Sequence, residues 1–394
     1  MFRSDKRPKI LAYYFPNYHF DPKNAKWFGD EWNEWQLVRS ARPRFPGHRQ
    51  PKVPALGYQD ESDPAVMRTA IDLADSHGID GFIFDYYWYE NGPYLEAALS
   101  QGFLHAANEH RVEFSLMWAN HDLLDIFPRR TMSDPPLLES GAVGRPAFER
   151  MAHHVVDDYF GHPAYTKIQG RPRFSVYEVG NLIRGLGGVD SAAEGLAWFD
   201  DLARGAGHPG VHFDAVTWGF AVLPAEVPVA DTGALLGRLG FRSASSYVWI
   251  HHCDTSAAAL PRDADWRRVT DEAFRAYDAY RRTLPVPFHP NVSCGWDGAP
   301  RLAEGLPVRR EYPGPIWQAG VDDFKYGLEL AREFVATSGY DYDEVTINAW
   351  NEWTEGSYLM PDEETGTGRL DAVLSVFGPR QARQLGGSAT ALTG

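Results

Sequence analysis

DPAVMRTAIDLADSHGIDGFIFDY, residues 63–86, holds one complete helix–turn–strand unit, and it decides the fold. Asp63 can cap a helix through its carboxylate, and Pro64 suits the first helical turn, where its missing N–H needs no partner. Val66, Ala70, Leu73 and Ala74 recur at near-helical spacing over Ala65–Ser76. Gly78 then offers a C-terminal stop. Gly81–Tyr86 follows as a short run rich in strand formers. Repetition of this unit builds a parallel sheet.

Working outward, the same alternation runs through the chain. Eight candidate strands are Ile10–Phe15, Gly81–Tyr86, Glu113–Trp118, Arg173–Tyr177, Ala215–Phe220, Ser246–His251, Val286–Ser293 and Glu344–Ala349. The seventh contains Pro287 and Pro290, which cannot donate to a ladder, so only part of it can pair. Helical patterns cover Tyr94–His110, Pro146–Tyr159, Ser191–Gly205, Asp263–Thr283 and Gly320–Thr337, whereas Leu223–Gly240 is rich in Pro and Ala without clear periodicity. Eight strands with intervening helices predict a (β/α)8 barrel. The alternative, an open doubly wound sheet, would call for a Gly-rich dinucleotide turn after a strand, and none is found. A single catalytic domain is expected over residues 1–383, with a flexible tail at 384–394. Two long irregular segments, Asn17–Gln59 and Asn120–Gly144, would fold over the barrel mouth as lids or binding loops.

Composition narrows the function. The net charge is −15 and there is no Lys/Arg-rich run, which argues against a nucleic-acid partner. There are 13 Trp, 19 Tyr and 22 Phe, and flat aromatic rings suit the C–H faces of sugars; a large core would account for them as well. Cys253 and Cys294 match no zinc-ligand spacing, and no HxH or HExxH occurs, so neither metal nor cofactor is expected. No stretch of 18 apolar residues is present, which argues against a membrane span. The apolar run near the N-terminus contains a Pro and lacks a small-residue cleavage site, so it reads as a strand and not a signal peptide, and a cytoplasmic location is expected.

Active sites of such barrels lie at the C-terminal ends of the strands. That rule nominates Tyr14 and His19 after the first strand, and Asp85, Tyr87 and Trp88 after the second. It adds Trp118 and Asn120 after the third, Tyr177 after the fourth, Trp218 and Trp249 after the fifth and sixth, and Trp296 and Asp297 after the seventh. Trp350, Asn351, Glu352, Trp353 and Glu355 follow the eighth. Glycoside cleavage generally needs two carboxyl groups, one to protonate the leaving oxygen and one to act as base or nucleophile. Glu352 and Glu355, three residues apart, can supply both if the turn aims both inward. Crowding and the neighbouring indoles would raise a carboxyl pKa, which an acid catalyst needs. Alternatively one glutamate caps the turn or pairs with an Arg. Asp85 can bind a hydroxyl or pair at the rim; Asp297 and Arg301 can pair with each other or face substrate. Trp27, Trp32 and Trp35 can stack on sugars or anchor the first loop. His251 and His252, adjacent on an expected strand, would face opposite sides.

The motif TINAWNEWTEGSYLMPD, residues 346–362, resembles the signature of the WbsX-like family, described as glycosyltransferase WbsX or as glycoside hydrolase family 99-like. It is also similar to the glutamate motif of family 99 endo-α-mannosidases. Further blocks follow in the family's order: YYFPNYHFDPKNAKWFGDEWNEW from Tyr13, ARPRFPGHRQPKVPALGYQDESDP from Ala41, HGIDGFIFDYYWYENG from His77, FSLMWAN from Phe114, RPRFSVYEV from Arg171 and VSCGWDGAPR from Val292. The resemblance implies a (β/α)8 barrel acting on an oligosaccharide or polysaccharide. It implies that Glu352 assists attack by the substrate's own 2-hydroxyl, giving an epoxide-like intermediate with retention, and that Glu355 serves as acid and then base. Two positions depart from the pattern. The family's WANENW is Trp118-Ala119-Asn120-His121-Asp122 here, and its His before the Tyr-Trp pair is Tyr86. Both fall where substrate contacts are expected.

Overall fold

A computed structural model describes residues 7–221, 231–254, 265–309 and 314–380. The barrel strands are β1 (Lys9–Tyr14), β2 (Gly81–Tyr89), β3 (Glu113–Trp118), β4 (Arg171–Val176), β5 (His212–Val216), β6 (Ser243–Ser245), β7 (Phe288–His289 with Asn291–Ser293) and β8 (Glu344–Asn348). Each pairs in parallel with the next, and β1 pairs with β8. Pro290 splits β7. Phe288 and His289 pair with β6, while Asn291–Ser293 pairs with β8, so the two halves together close the ring. The Pro290 carbonyl still accepts from Thr346 N at 3.0 Å. The missing N–H therefore interrupts one side of the ladder only. The fold is the (β/α)8 barrel.

The helix and strand of residues 63–86 form as expected, but the buried stripe runs through Met67 and Ile71 as well as Ala70 and Ala74, leaving Val66 and Leu73 half-buried. The helix Pro64–Ser76 starts under the Asp63 carboxylate, which accepts from Ala65 N at 2.8 Å. It buries Met67, Ala70, Ile71 and Ala74, and Gly78 turns the chain at φ +81°. Helices Arg145–Val155, Val189–Gly205, Trp266–Thr283 and Val321–Ala336 match four further patterns. Thr232–Leu239 adds a helix in the fifth connection. The Tyr94–His110 pattern does not form one regular helix. It breaks into a π turn at Ala98–Gly102 and short 3-10 turns, and Gly102 lies so near the Glu61 carbonyl that a β-carbon there would approach it to 2.2 Å. The expected tail at 384–394 lies outside the described residues, as does part of the Leu223–Gly240 connection.

Two strands start earlier than their hydrophobic runs suggest. β5 ends at Val216, leaving Trp218 and Phe220 beyond it, and β6 is Ser243–Ser245. Trp249–His252, expected in a strand, is a 3-10 turn, so His251 and His252 are not on opposite faces of a sheet. The serines are buried because the barrel interior holds charge. Arg173, 1% exposed, reaches Asp214 at 3.2 Å and Glu344 at 2.8 Å. Ser175, Ser243 and Ser245 donate to Asp214 at 3.0, 2.7 and 2.7 Å. A buried carboxylate needs such donors, and short polar strand residues provide them. This network lies toward the N-terminal half of the barrel, the end associated with stability rather than chemistry. Among the described residues, no helix is long and apolar enough to cross a membrane.

Candidate active site

After β8 the chain makes a small turned-back unit. Asn351–Glu352 pairs antiparallel with Ser357–Tyr358, and Trp353–Glu355 between them forms a 3-10 turn. Glu352 ends the first short strand and Glu355 ends the turn, and both side chains reach the same guanidinium. Gly356 closes the turn at φ +66°, and a β-carbon there would lie 2.8 Å from that of Asp297. Both glutamates face Arg301, whose Nη2 is 3.2 Å from Glu352 and whose Nη1 bonds Glu355. The Arg301 Nε donates to Thr354 Oγ1 at 2.9 Å and to Glu34 at 3.2 Å. One buried guanidinium thus gathers three carboxyls.

The two glutamates line a cavity at the C-terminal end of the barrel, with about 670 Å³ of space between its atoms, part of it open to solvent. Asp85, Tyr87, Tyr177 and Trp296 line it too, as does Arg301. The remaining nominated residues lie outside the lining. Trp249 is fully buried against Trp266 and donates to the Asn291 carbonyl at 2.8 Å. Trp350 packs on Phe82, Trp353 stacks on Tyr358 and Trp118 donates to the Trp88 carbonyl. Trp88 packs on His154, and Trp218 backs Tyr177 and His251. Asn120 bonds the backbone of Glu178 in both directions, and Asn351 does the same to Phe15. His19 meets Glu61 at 3.1 Å, and Glu61 also bears on Tyr14. Asp297 pairs with His48 at 2.7 Å and with Gln50, not with Arg301. These residues hold the loops that hold the cavity. Trp32 and Trp35 are likewise buried and anchor the first loop, Trp32 against Phe28 and Trp35 against Tyr18 and Trp353. Of the two departures from the family pattern, His121 and Asp122 line the cavity; Tyr86 does not, packing instead on Trp88 and Tyr159.

Tyr247 was not nominated, yet it joins two of the acids. Its hydroxyl lies 2.9 Å from Asp85 Oδ2 and 2.8 Å from Glu352 Oε2. A phenol carries one proton. Tyr247 can donate to one carboxyl only, so the other accommodates it without repulsion if it is itself protonated and donates back. Burial raises the Asp85 carboxyl well above the usual range, against the pull of the Tyr247 hydrogen bond, and Glu355 adds to the rise. Among the described residues, none bonds to Asp85 Oδ1. Burial also raises Glu352 well above its usual value; Glu355 adds to this and Arg301 opposes it. Glu355 is raised by burial in spite of Arg301. Two arrangements satisfy the single phenolic proton: a protonated Asp85 donating to Tyr247, which donates to Glu352, or a protonated Glu352 donating to Tyr247, which donates to Asp85.

Sequence patterns could not find Tyr247 or Glu34. Tyr247 sits in an aromatic run that reads as strand, and Glu34 lies in an aperiodic loop, 267 residues from Arg301. Among the described residues, no group of three or more His, Cys, Asp or Glu is placed to hold a metal ion.

The family model described as "Glycosyltransferase WbsX" matches residues 10–373. The protein WxcX of Xanthomonas campestris pv. campestris, itself uncharacterised, is 30% identical over 377 residues, covering 92% of this chain. The chain spans about half the length of these relatives, 48%. The GH99 endo-α-mannosidase of Bacteroides thetaiotaomicron is similar in structure, with a TM-score of 0.53 at 16% identity, covering 93% of this chain and 97% of that one. A glycoside hydrolase-like protein gives 0.62 at 14% identity, with 97% and 96% covered. At such identities these likenesses bear on the fold. By the extent of the family match and the identity to WxcX, the chain belongs to the glycosyltransferase WbsX family.

Proposed function

We propose that this protein is a retaining glycosidase acting on an α-linked glycan through Glu352 and Glu355. The observation that carries the reading is the pair of buried glutamates that bracket the turn after β8, sharing Arg301 at the C-terminal end of the barrel. Glu352, whose carboxylate form is favoured by Arg301 and by the Tyr247 hydrogen bond, accepts the proton of the substrate's 2-hydroxyl as that oxygen attacks the anomeric carbon. Glu355, its carboxyl raised by burial, gives its proton to the leaving oxygen and then takes one from the incoming water. Opening of the epoxide-like intermediate returns the 2-hydroxyl proton from Glu352, so no net proton is consumed. Arg301 stays between the two carboxyls and steadies the negative charge as it passes from one to the other.

The test is a screen of aryl α-glycosides and oligosaccharides with product stereochemistry read by NMR. Glu352→Gln and Glu355→Gln, made separately, should each lower kcat at least about a hundredfold. Near wild-type turnover in both, or an inverted product, defeats the reading. Transfer to a sugar acceptor instead of water is the second reading, favoured by the family's description as a glycosyltransferase. It uses the same glutamates and is recognised by a new glycoside accumulating when an acceptor is added.

A further inference from the structure

The cavity has two unlike parts. Its acids are tied into one cluster: Asp85 and Glu352 through Tyr247, Glu352 and Glu355 through Arg301. Much of the rest is carbon from the loop after β3, namely Leu123, Leu124, Ile126 and Phe127, joined by Met117 from β3 and Val248 after β6. All six are buried. They are fixed in place. Leu123 and Leu124 pair with Leu137–Glu139, and Phe127 packs on Phe28 and Trp32. The polar groups of this loop are occupied in closing it. Asp122 accepts from Gly141 N at 2.8 Å, and Arg129 donates to the Thr131 and Ser133 carbonyls at 2.9 and 3.0 Å. Gly141 comes so near Asn120 that a β-carbon would lie 2.1 Å from the Asn120 carbonyl oxygen, so this closure is built in.

An unmodified hexose carries a hydroxyl or hydroxymethyl on each ring carbon from C2 to C5. His121 and Asp122 begin this loop's share of the wall, but beyond them, against Leu123, Leu124, Ile126 and Phe127, one of these groups would lose its water to an apolar surface. A methyl at the same place would be buried favourably. On the acid side, Asp85 Oδ1, to which none of the described residues bonds, suits a hydroxyl.

We propose that the sugar held in this cavity presents a methyl group where a common hexose presents a hydroxymethyl, either as a 6-deoxyhexose or through a 6-O-acetyl substituent, its 2-hydroxyl being left free. The methyl lies against Leu123, Leu124, Ile126 and Phe127, and the hydroxyls face Asp85 and the glutamates. The inference rests on the glycosidase reading for the place of the sugar, but not for its cleavage.

Binding and turnover are therefore measured separately on the full chain. Methyl α-glycosides of the gluco, galacto and manno series, their 6-deoxy counterparts and their 6-O-acetyl counterparts are titrated and followed by NMR. The matching aryl glycosides are assayed for release. The expected result is roughly tenfold or greater preference, in Kd, for one methyl-bearing class over its parent hexoside. Which class it is distinguishes deoxy from acetyl. Leu124→Asn and Ile126→Asn should bring that ratio toward one; the wild-type comparison stands even if either variant does not fold. Parent hexosides binding as tightly as both methyl-bearing classes, or no binding by either class, overturns the inference. Selective binding of a methyl-bearing glycoside without cleavage upholds it while removing the glycosidase reading. Cleavage without selectivity does the reverse.

Discussion

Arg301→Met should destabilise the protein in a way that depends on pH. The guanidinium is 5% exposed and serves Glu34, Glu352, Glu355 and Thr354 together. It lies between Phe15 and Phe127, with ring centroids 5.7 and 5.1 Å away, so methionine can keep much of its volume. What is lost is the cation. Removing one partner of a buried pair costs about 3–5 kcal/mol, because the other charge stays buried. The unfolding entropy, at about 2.1 cal/mol/K per residue over 394 residues, is about 0.8 kcal/mol/K, so the melting temperature should fall by about 4–6 °C at pH 8. Glu352 and Glu355 already lie above their usual values with Arg301 opposing the rise. Without it both rise further. An acid whose folded pKa exceeds its unfolded value of about 4.3 costs stability as pH climbs from there toward the folded pKa. The deficit should therefore shrink as pH falls toward about 4.5. Thermal unfolding of wild type and variant, compared at pH 8 and pH 5, measures this. A deficit below about 1 °C at pH 8, or one of equal size at both pH values, would refute the account of Arg301 as the charge partner of the two glutamates.

Tyr247→Phe removes the hydroxyl that holds Glu352 down, so kcat should fall about ten- to a hundredfold, and the acidic limb of the pH–rate profile should move to higher pH. An unmoved limb, measured on an active aryl glycoside, counts against the proton chain. His212 and His289 are pushed below the usual histidine value by burial, His212 to about 3, so their contribution is present above about pH 6.5 and is lost as pH falls. His212→Gln should flatten the acid-side loss of melting temperature relative to wild type; parallel curves between pH 7 and 4 would oppose this. Gly356→Ala forces a β-carbon into φ +66° and against Asp297, costing about 1–3 kcal/mol in denaturant unfolding. A change under about 0.5 kcal/mol would mean that the turn relaxes freely.

Local pattern in the sequence carried the parts of the fold that are themselves local. The cap at Asp63, the apolar stripe that follows it and the strand from Gly81 depend on neighbours a few residues away, and β1, β2, β3 and β8 fall where their apolar runs lie. Pro290 marked the weak stave because a missing N–H is a property of one residue. β6 was misread for a physical reason: Tyr247–Ile250 has strand composition, but Trp249 finds its partner in Trp266, while Ser243–Ser245 becomes the strand because Asp214 needs its hydroxyls. That demand comes from across the barrel. In the candidate site the spacing of Glu352 and Glu355 was legible, since a single turn sets it. The gathering of Asp85, Tyr247, Arg301 and Glu34 around them was decided only by barrel closure, which joins side chains as far as 320 residues apart, as in the Thr354–Glu34 hydrogen bond, and leaves no periodic trace in the chain. The same closure put most of the nominated indoles into the packing around the cavity, because a large ring at a strand end is buried by whichever loop folds over it.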